Sequence, residues 1–311
     1  MPKEITHWVA AEQVLKSGRL TPEITNLDEH RDVLLIGAVI HDALYYFTGD
    51  SKEASALPDK LHGSNQEDTH SLVKAILQKS EKSRQKDILL AFATGVASHI
   101  YADINFHPYI YYHTGNYYDQ NPDRRAVAQL RHRQLESALD NYLNKKFSPE
   151  LNFSKMVNSG LAKLRNVLAD GLDAPEIDTR IEWAWIESAF KNYVLARRIY
   201  GNRAMVSALS LFGGFLPQTL QTVLSLSYFK CGAFTHYDFG QEIRYKNPES
   251  GEWLETTIDG LLNKSISDSI EFLNAALDEE RISTGRSLET GLERSRAIDM
   301  RHFDTTVHNE V

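Results

Sequence analysis

Apolar residues recur at helical spacing through most of the chain. Ile5, Trp8, Val9, Ala11, Val14 and Leu15 fall on one face and predict an amphipathic helix over residues 4–17, ended by Gly18 and Pro22. A second helix is predicted over 29–48, with Asp28 as N-cap and Leu34, Leu35, Ile36, Val39 and Ile40 buried. Residues 50–68 carry Pro58, Gly63, Ser64 and Asn65 and read as a loop. Asp68 or Thr69 caps a helix over 69–80. The most apolar stretch, 84–107, predicts a central helix stopped at Pro108. An aromatic loop follows (Tyr109, Tyr111, Tyr112, Tyr117, Tyr118), and Pro122 and Asp123 open a helix over 123–145.

The second half continues in the same way. Segments 152–170, 180–200 and 204–229 show helical periodicity, the last broken by Gly213, Gly214 and Pro217. Residues 240–257 depart from it: Ile243 and Tyr245, then Asn247-Pro248-Glu249-Ser250-Gly251, then Trp253 and Leu254 predict a small β-hairpin. One more helix is expected over 262–280. The expected fold is all-α, a multi-helix bundle forming one domain over 1–283. Its chemistry falls within 1–145 and a helical extension covers 150–283. Residues 284–311 are a polar tail expected to be poorly ordered.

Composition narrows the function. With 34 basic and 42 acidic residues the 311-residue chain carries a net charge of −8, which argues against a stable nucleic-acid partner. A single cysteine, Cys231, excludes an internal disulfide and any cysteine-based zinc site. The first eight residues have no apolar core behind a basic start, so no signal peptide is expected and the cytoplasm is the expected location. The stretch 204–229 holds no charge and is long enough to span a bilayer. Its glycines, proline and polar residues favour a buried helical hairpin, with peripheral contact to a membrane as the second reading.

The chemistry gathers on the central helix. His99, Asp103 and His107 are spaced four apart and therefore share one face. Their neighbours are mostly apolar, so the face points inward, where an unpaired carboxylate is costly and a metal or a partner is required. His132 and Glu136 form a second pair at helical spacing. Taken singly, such pairs are what chance supplies in a chain with 12 histidines and 42 acids. Together with His7, Asp42 and His70, all on helices or their ends, they make a credible set of zinc ligands.

In that order the residues resemble the zinc-dependent phospholipase C family. The stretch Ser98-His99, Ala102-Asp103 and His107 resembles its central helix, and His132-x-x-x-Glu136 its second His/acid helix. Ile5-Thr6-His7, Asp42 and Glu67-Asp68-Thr69-His70 fit the remaining positions, so the resemblance covers about residues 4–140. It implies an all-helical fold around up to three zinc ions and a phospholipid or other phosphoester substrate. One ion would take Asp42, His70, His99 and Asp103. A second would share Asp103 and take His7. A third would take His107, His132 and Glu136. Asp42 would also orient or deprotonate the attacking water. The chain departs from the secreted members at two points. A terminal amine ligand would have to come from Pro2 after loss of Met1, and the short Asp103–His107 spacing leaves His113 as a spare ligand. It resembles the GPI-specific phospholipase D domain there.

Other residues have weaker claims. His62, Tyr45 and Tyr46 are candidate substrate contacts, though a loop histidine and packed tyrosines are equally ordinary. His41 would either orient a ligand or sit on the surface at a helix end. The expected activity is phosphodiester hydrolysis. The alternatives are a nuclease, a phosphomonoesterase, or a scaffold in which zinc only ties helices together.

Overall fold

From Ile88 to Phe106 nearly every position is apolar or small, and a helix apolar all round has to be enclosed by others. In the computed structural model, which describes residues 4–24, 26–148, 152–211, 215, 224, 226–229, 231–278 and 282–304, that helix is α6, Lys86–Thr114. Packed around it are α1 (Glu4–Lys16), α2 (Arg31–Gly37), α5 (Ser71–Glu81), α7 (Pro122–Phe147), α8 (Phe153–Leu168) and α11 (Ile258–Asp278). The short α3 (Ile40–Ala43) and α4 (Lys52–Leu61), with α9 (Trp183–Tyr200) and α10 (Arg203–Ser210), complete an all-α architecture. Among the described residues α6 alone is long and apolar enough to cross a membrane, and it is buried within the fold.

The crossing of α2 over α6 fixes the rest. A Cβ on Gly95 would lie 2.0 Å from the carbonyl oxygen of Leu34, and one on Gly37 would lie 2.4 Å from that of Phe92. The two backbones therefore touch, which only glycine on both sides permits. Trp8 locks α1 onto the same layer, its indole donating to the Leu35 carbonyl at 3.1 Å.

Four boundaries differ from the periodicity. The helix expected over 29–48 breaks at Val39, whose backbone (φ −133°, ψ 9°) leaves the helical region. It resumes as α3 and a 3₁₀ turn, Leu44–Tyr46. Residues 52–61, expected as loop, are helical. Ser51 caps them by accepting from the Ala54 amide, and Ala54, Leu57, Pro58 and Leu61 form a buried stripe at helical spacing that the Pro/Gly/Ser content conceals. Helix α6 runs through Pro108 to Thr114. The proline leaves the Ile104 carbonyl without its usual amide, and Gly291 fits against that oxygen, where a Cβ would stand at 2.8 Å. Finally, the polar tail is packed as far as Asp304: Leu288, Thr290, Ser295 and Met300 are all buried.

Two antiparallel hairpins decorate the bundle. The expected one pairs β3 (Glu242–Lys246) with β4 (Trp253–Thr257), Tyr245 opposite Leu254. The other, not expected, pairs β1 (Leu172–Ala174) with β2 (Thr179–Ile181). Of the charge-free stretch 204–229, α10 covers the start. Gly213, Gly214, Pro217 and most of the remainder lie outside the described residues, as do Pro2 and His308.

Replacing Gly95 by alanine tests the crossing. On an exposed helix the change would stabilise by about 1 kcal/mol. Here, with Leu34 at 2.0 Å, urea unfolding should show a loss of about 2 kcal/mol or more. A neutral or stabilising result would contradict the contact.

Candidate metal centre

His7 reaches the centre because α1 is held at its first turn. The carboxylate of Asp140 on α7 accepts from the amides of Ile5 (3.0 Å) and Thr6 (2.8 Å) and from the Thr6 hydroxyl (2.6 Å). It thereby satisfies donors that the start of a helix leaves free. Glu4 is tied to Arg197 at 2.7 Å and to the Tyr200 hydroxyl at 3.1 Å. Asp140 lies one turn beyond Glu136 on α7, so one helix face both anchors α1 and supplies the His132/Glu136 pair.

The α6 column delivers His99, Asp103 and His107, all fully buried. The break at Val39 turns Asp42 toward them, and the end of α4 brings His62. The Nε2 of His99 lies 3.2 Å from Asp103 Oδ2, and that of His62 lies 3.7 Å from the same oxygen. Asp103 Oδ1 faces His7 Nε2 at 3.4 Å and His107 Nε2 at 3.8 Å. Asp42 faces His7 and His62, each at 3.6 Å, and His99 at 3.9 Å. A further group joins His107 to His132 and Glu136, the last two 2.8 Å apart.

These atoms suit an ion. Both oxygens of Asp103, Oδ1 of Asp42 and the Nε2 atoms of His7, His62, His99 and His107 are buried without a hydrogen-bond partner, yet all converge. Two ligand atoms each about 2.1 Å from a tetrahedral zinc are about 3.4 Å apart, which is the spacing seen. The far side of three rings is fixed as such ligands require. His99 Nδ1 donates to the Ala38 carbonyl at 3.0 Å, His62 Nδ1 to Pro58 at 2.7 Å and His107 Nδ1 to Leu288 at 2.7 Å. Each bond places the proton on Nδ1 and leaves the Nε2 lone pair facing the cluster. The donor set, nitrogen and carboxylate only, fits zinc.

Electrostatics follow from burial. Loss of solvent, reinforced by neighbouring imidazoles, holds His7 and His107 well below the usual histidine range, and burial does the same for His132. All three are therefore neutral, ready to ligate. Asp42 is lowered: burial raises it, but His99, His62 and His7 outweigh that. His62 is pulled the other way. Burial would lower it, yet the carboxylates of Asp42, 3.6 Å away, and of Asp103 raise it to about 9.

Of the sequence candidates, His7, Asp42, His99, Asp103, His107, His132 and Glu136 are brought together. His70 is not. It stands at the start of α5 with Nδ1 bonded to the Ser283 carbonyl at 3.0 Å and its other nitrogen 3.4 Å from the Tyr101 hydroxyl. His62, considered as a substrate contact, occupies the position assigned to it. The unrecognised helix α4 hid this, because in a loop His62 had no defined direction. Tyr45 is at the rim, half-exposed, its ring 5.6 Å from that of His62 and its hydroxyl on Asp59. Tyr46 instead stacks on Tyr193 of α9. His41 is buried and stacked on His99 at 4.4 Å, supporting that ring. His113 pairs with Asp304 at 3.7 Å and takes no place among the ligands. Asp140 was missed, although its spacing from Glu136 and His132 was visible. Leu288 and Glu289 were missed with no local signal to find them.

A family model described as zinc dependent phospholipase C matches residues 6–203, which include every one of the converging side chains. No curated protein and no solved structure matches the chain.

Two histidine variants separate the sequence and structural assignments. His62→Ala should lose at least one zinc per chain by elemental analysis, and His70→Ala should keep the wild-type count. The reverse pattern would restore His70 to the ligand set.

Proposed function

Because the chain belongs to the zinc-dependent phospholipase C family, we propose that it hydrolyses a phosphodiester, with a phospholipid as substrate, at the cluster centred on Asp103. The observation that carries this is the convergence of seven partnerless buried atoms from His7, Asp42, His62, His99, Asp103 and His107 around the Asp103 carboxylate. When bound, zinc supplies an acidified water and stabilises negative charge on the phosphoryl oxygens. His132 and Glu136, with His107, hold a third position beside the first two.

The chain's own residues divide the work. Asp103 divides its two oxygens between His62 and His99 on one side and His7 and His107 on the other, and so would hold an ion on either side. Asp42 is the cluster member that reaches solvent, at 8 % exposure. Substrate therefore approaches over it. Held ionised by the surrounding imidazoles, it orients the attacking water in line with the leaving oxygen and accepts its proton. Tyr45 flanks that entrance.

Two features favour a phospholipid over a nucleic acid. The net charge of −8 repels polyanions. Leu195, Met205, Leu211, Phe215 and Phe229 are exposed apolar side chains on and beyond α9 and α10, and support contact with a lipid surface.

Wild-type protein should cleave phosphatidylcholine vesicles faster than single-stranded DNA or a chromogenic phosphomonoester. Asp103→Ala should lose both zinc and activity. Asp42→Asn, which keeps an oxygen ligand, should retain most of its metal and lose activity by about 100-fold or more. A fully metallated wild-type protein inert toward all three substrates would favour the scaffold reading.

A further inference from the structure

The acceptor that fixes the His107 ring is not on its own helix. It comes from the segment after α11, well beyond residue 203. We propose that residues 282–304 form a strap that is one wall of the His107–His132–Glu136 group, with Leu288 and Glu289 as positioning residues for His107. The proposal rests on the ligand reading given above.

The strap touches His107 directly. Its Leu288 carbonyl accepts from His107 Nδ1 at 2.7 Å, and Glu289 Oε2 lies 3.8 Å from the same nitrogen. Glu289 is itself buried and held by two tyrosines: the hydroxyl of Tyr111, whose ring packs on His132, donates to one oxygen and that of Tyr118 to the other, the latter at 3.1 Å. Three rings, of His107, Tyr111 and Tyr117, pack against His132 with centroids 4.9–5.8 Å away, so a shift of Glu289 would pass to both imidazoles.

The other end is tied to the segment that carries His62. Leu288 N donates to the His62 carbonyl at 3.3 Å, and Gly285 N to Asp68 at 2.7 Å. Thr69 donates to the Arg286 carbonyl at 2.7 Å, and His70 bonds the Ser283 carbonyl at 3.0 Å. His70 therefore anchors the strap. Gly291 lets the strap lie flat where Pro108 has freed the Ile104 carbonyl: its φ is +71°, and a Cβ would stand 2.8 Å from that oxygen. Asn247 of the β3–β4 turn holds the Thr290 carbonyl at 2.8 Å from outside.

The test uses the full chain with Gly291→Ala, which lifts the strap, and Glu289→Ala, which leaves its backbone in place. Each is stripped, reloaded with zinc and counted, and reloaded with cobalt to read the visible absorption of each centre. Both variants should bind one ion roughly 10- to 100-fold more weakly and lose one component of the cobalt spectrum, the other ions being unchanged. Glu289→Gln, still able to accept from tyrosine, should largely restore it. Wild-type count, affinity and spectrum in both alanine variants would overturn the proposal. Loss of all ions together would also overturn it, by showing a role in the fold as a whole. A wild-type chain that binds no zinc would overturn the ligand reading itself, and the strap's role with it.

Discussion

The carboxylate of Asp103 is the constraint from which the structure follows. It is fully enclosed, both oxygens lack a hydrogen-bond donor among the described residues, and burial raises its pKa against the pull of His99. An uncompensated carboxylate in such a place costs several kcal/mol, and nearby neutral imidazoles do not repay it. A cation does. The helices are arranged to make that cation welcome.

Several of the converging side chains are aimed by defects in regular structure. Val39 interrupts the second helix, so the Ala38 carbonyl meets His99 and Asp42 turns inward. The end of α4 presents the Pro58 carbonyl to His62. Pro108 opens α6 where the strap lies against it. The glycine-to-glycine crossing of α2 and α6 brings these breaks close enough to share one carboxylate. The geometry of the site and the stability of the fold are thus coupled: what packs the helices also sets the tautomers of the rings.

Much of this was legible in the sequence. The i, i+4 column His99–Asp103–His107 and the pair His132/Glu136 needed only helical periodicity, which is strongest where the chain is most apolar. The hairpin at 242–257 announced itself through its turn residues. What failed was local context. Pro58, Gly63 and Ser64 disguised a helix whose buried stripe was present, and with it the direction of His62, so His70 was preferred by its place in the order. Leu288 and Glu289 act through a backbone carbonyl and a contact between residues nearly 180 positions apart in the chain, neither of which has a residue-type signature.

Anomalous diffraction at the zinc absorption edge, from crystals of zinc-loaded protein, tests the central claim most directly. Anomalous peaks should lie on either side of the Asp103 carboxylate, one toward His62 and His99 and one toward His7, with another between His107, His132 and Glu136. A fully ordered Asp103 with no peak within bonding distance would contradict it.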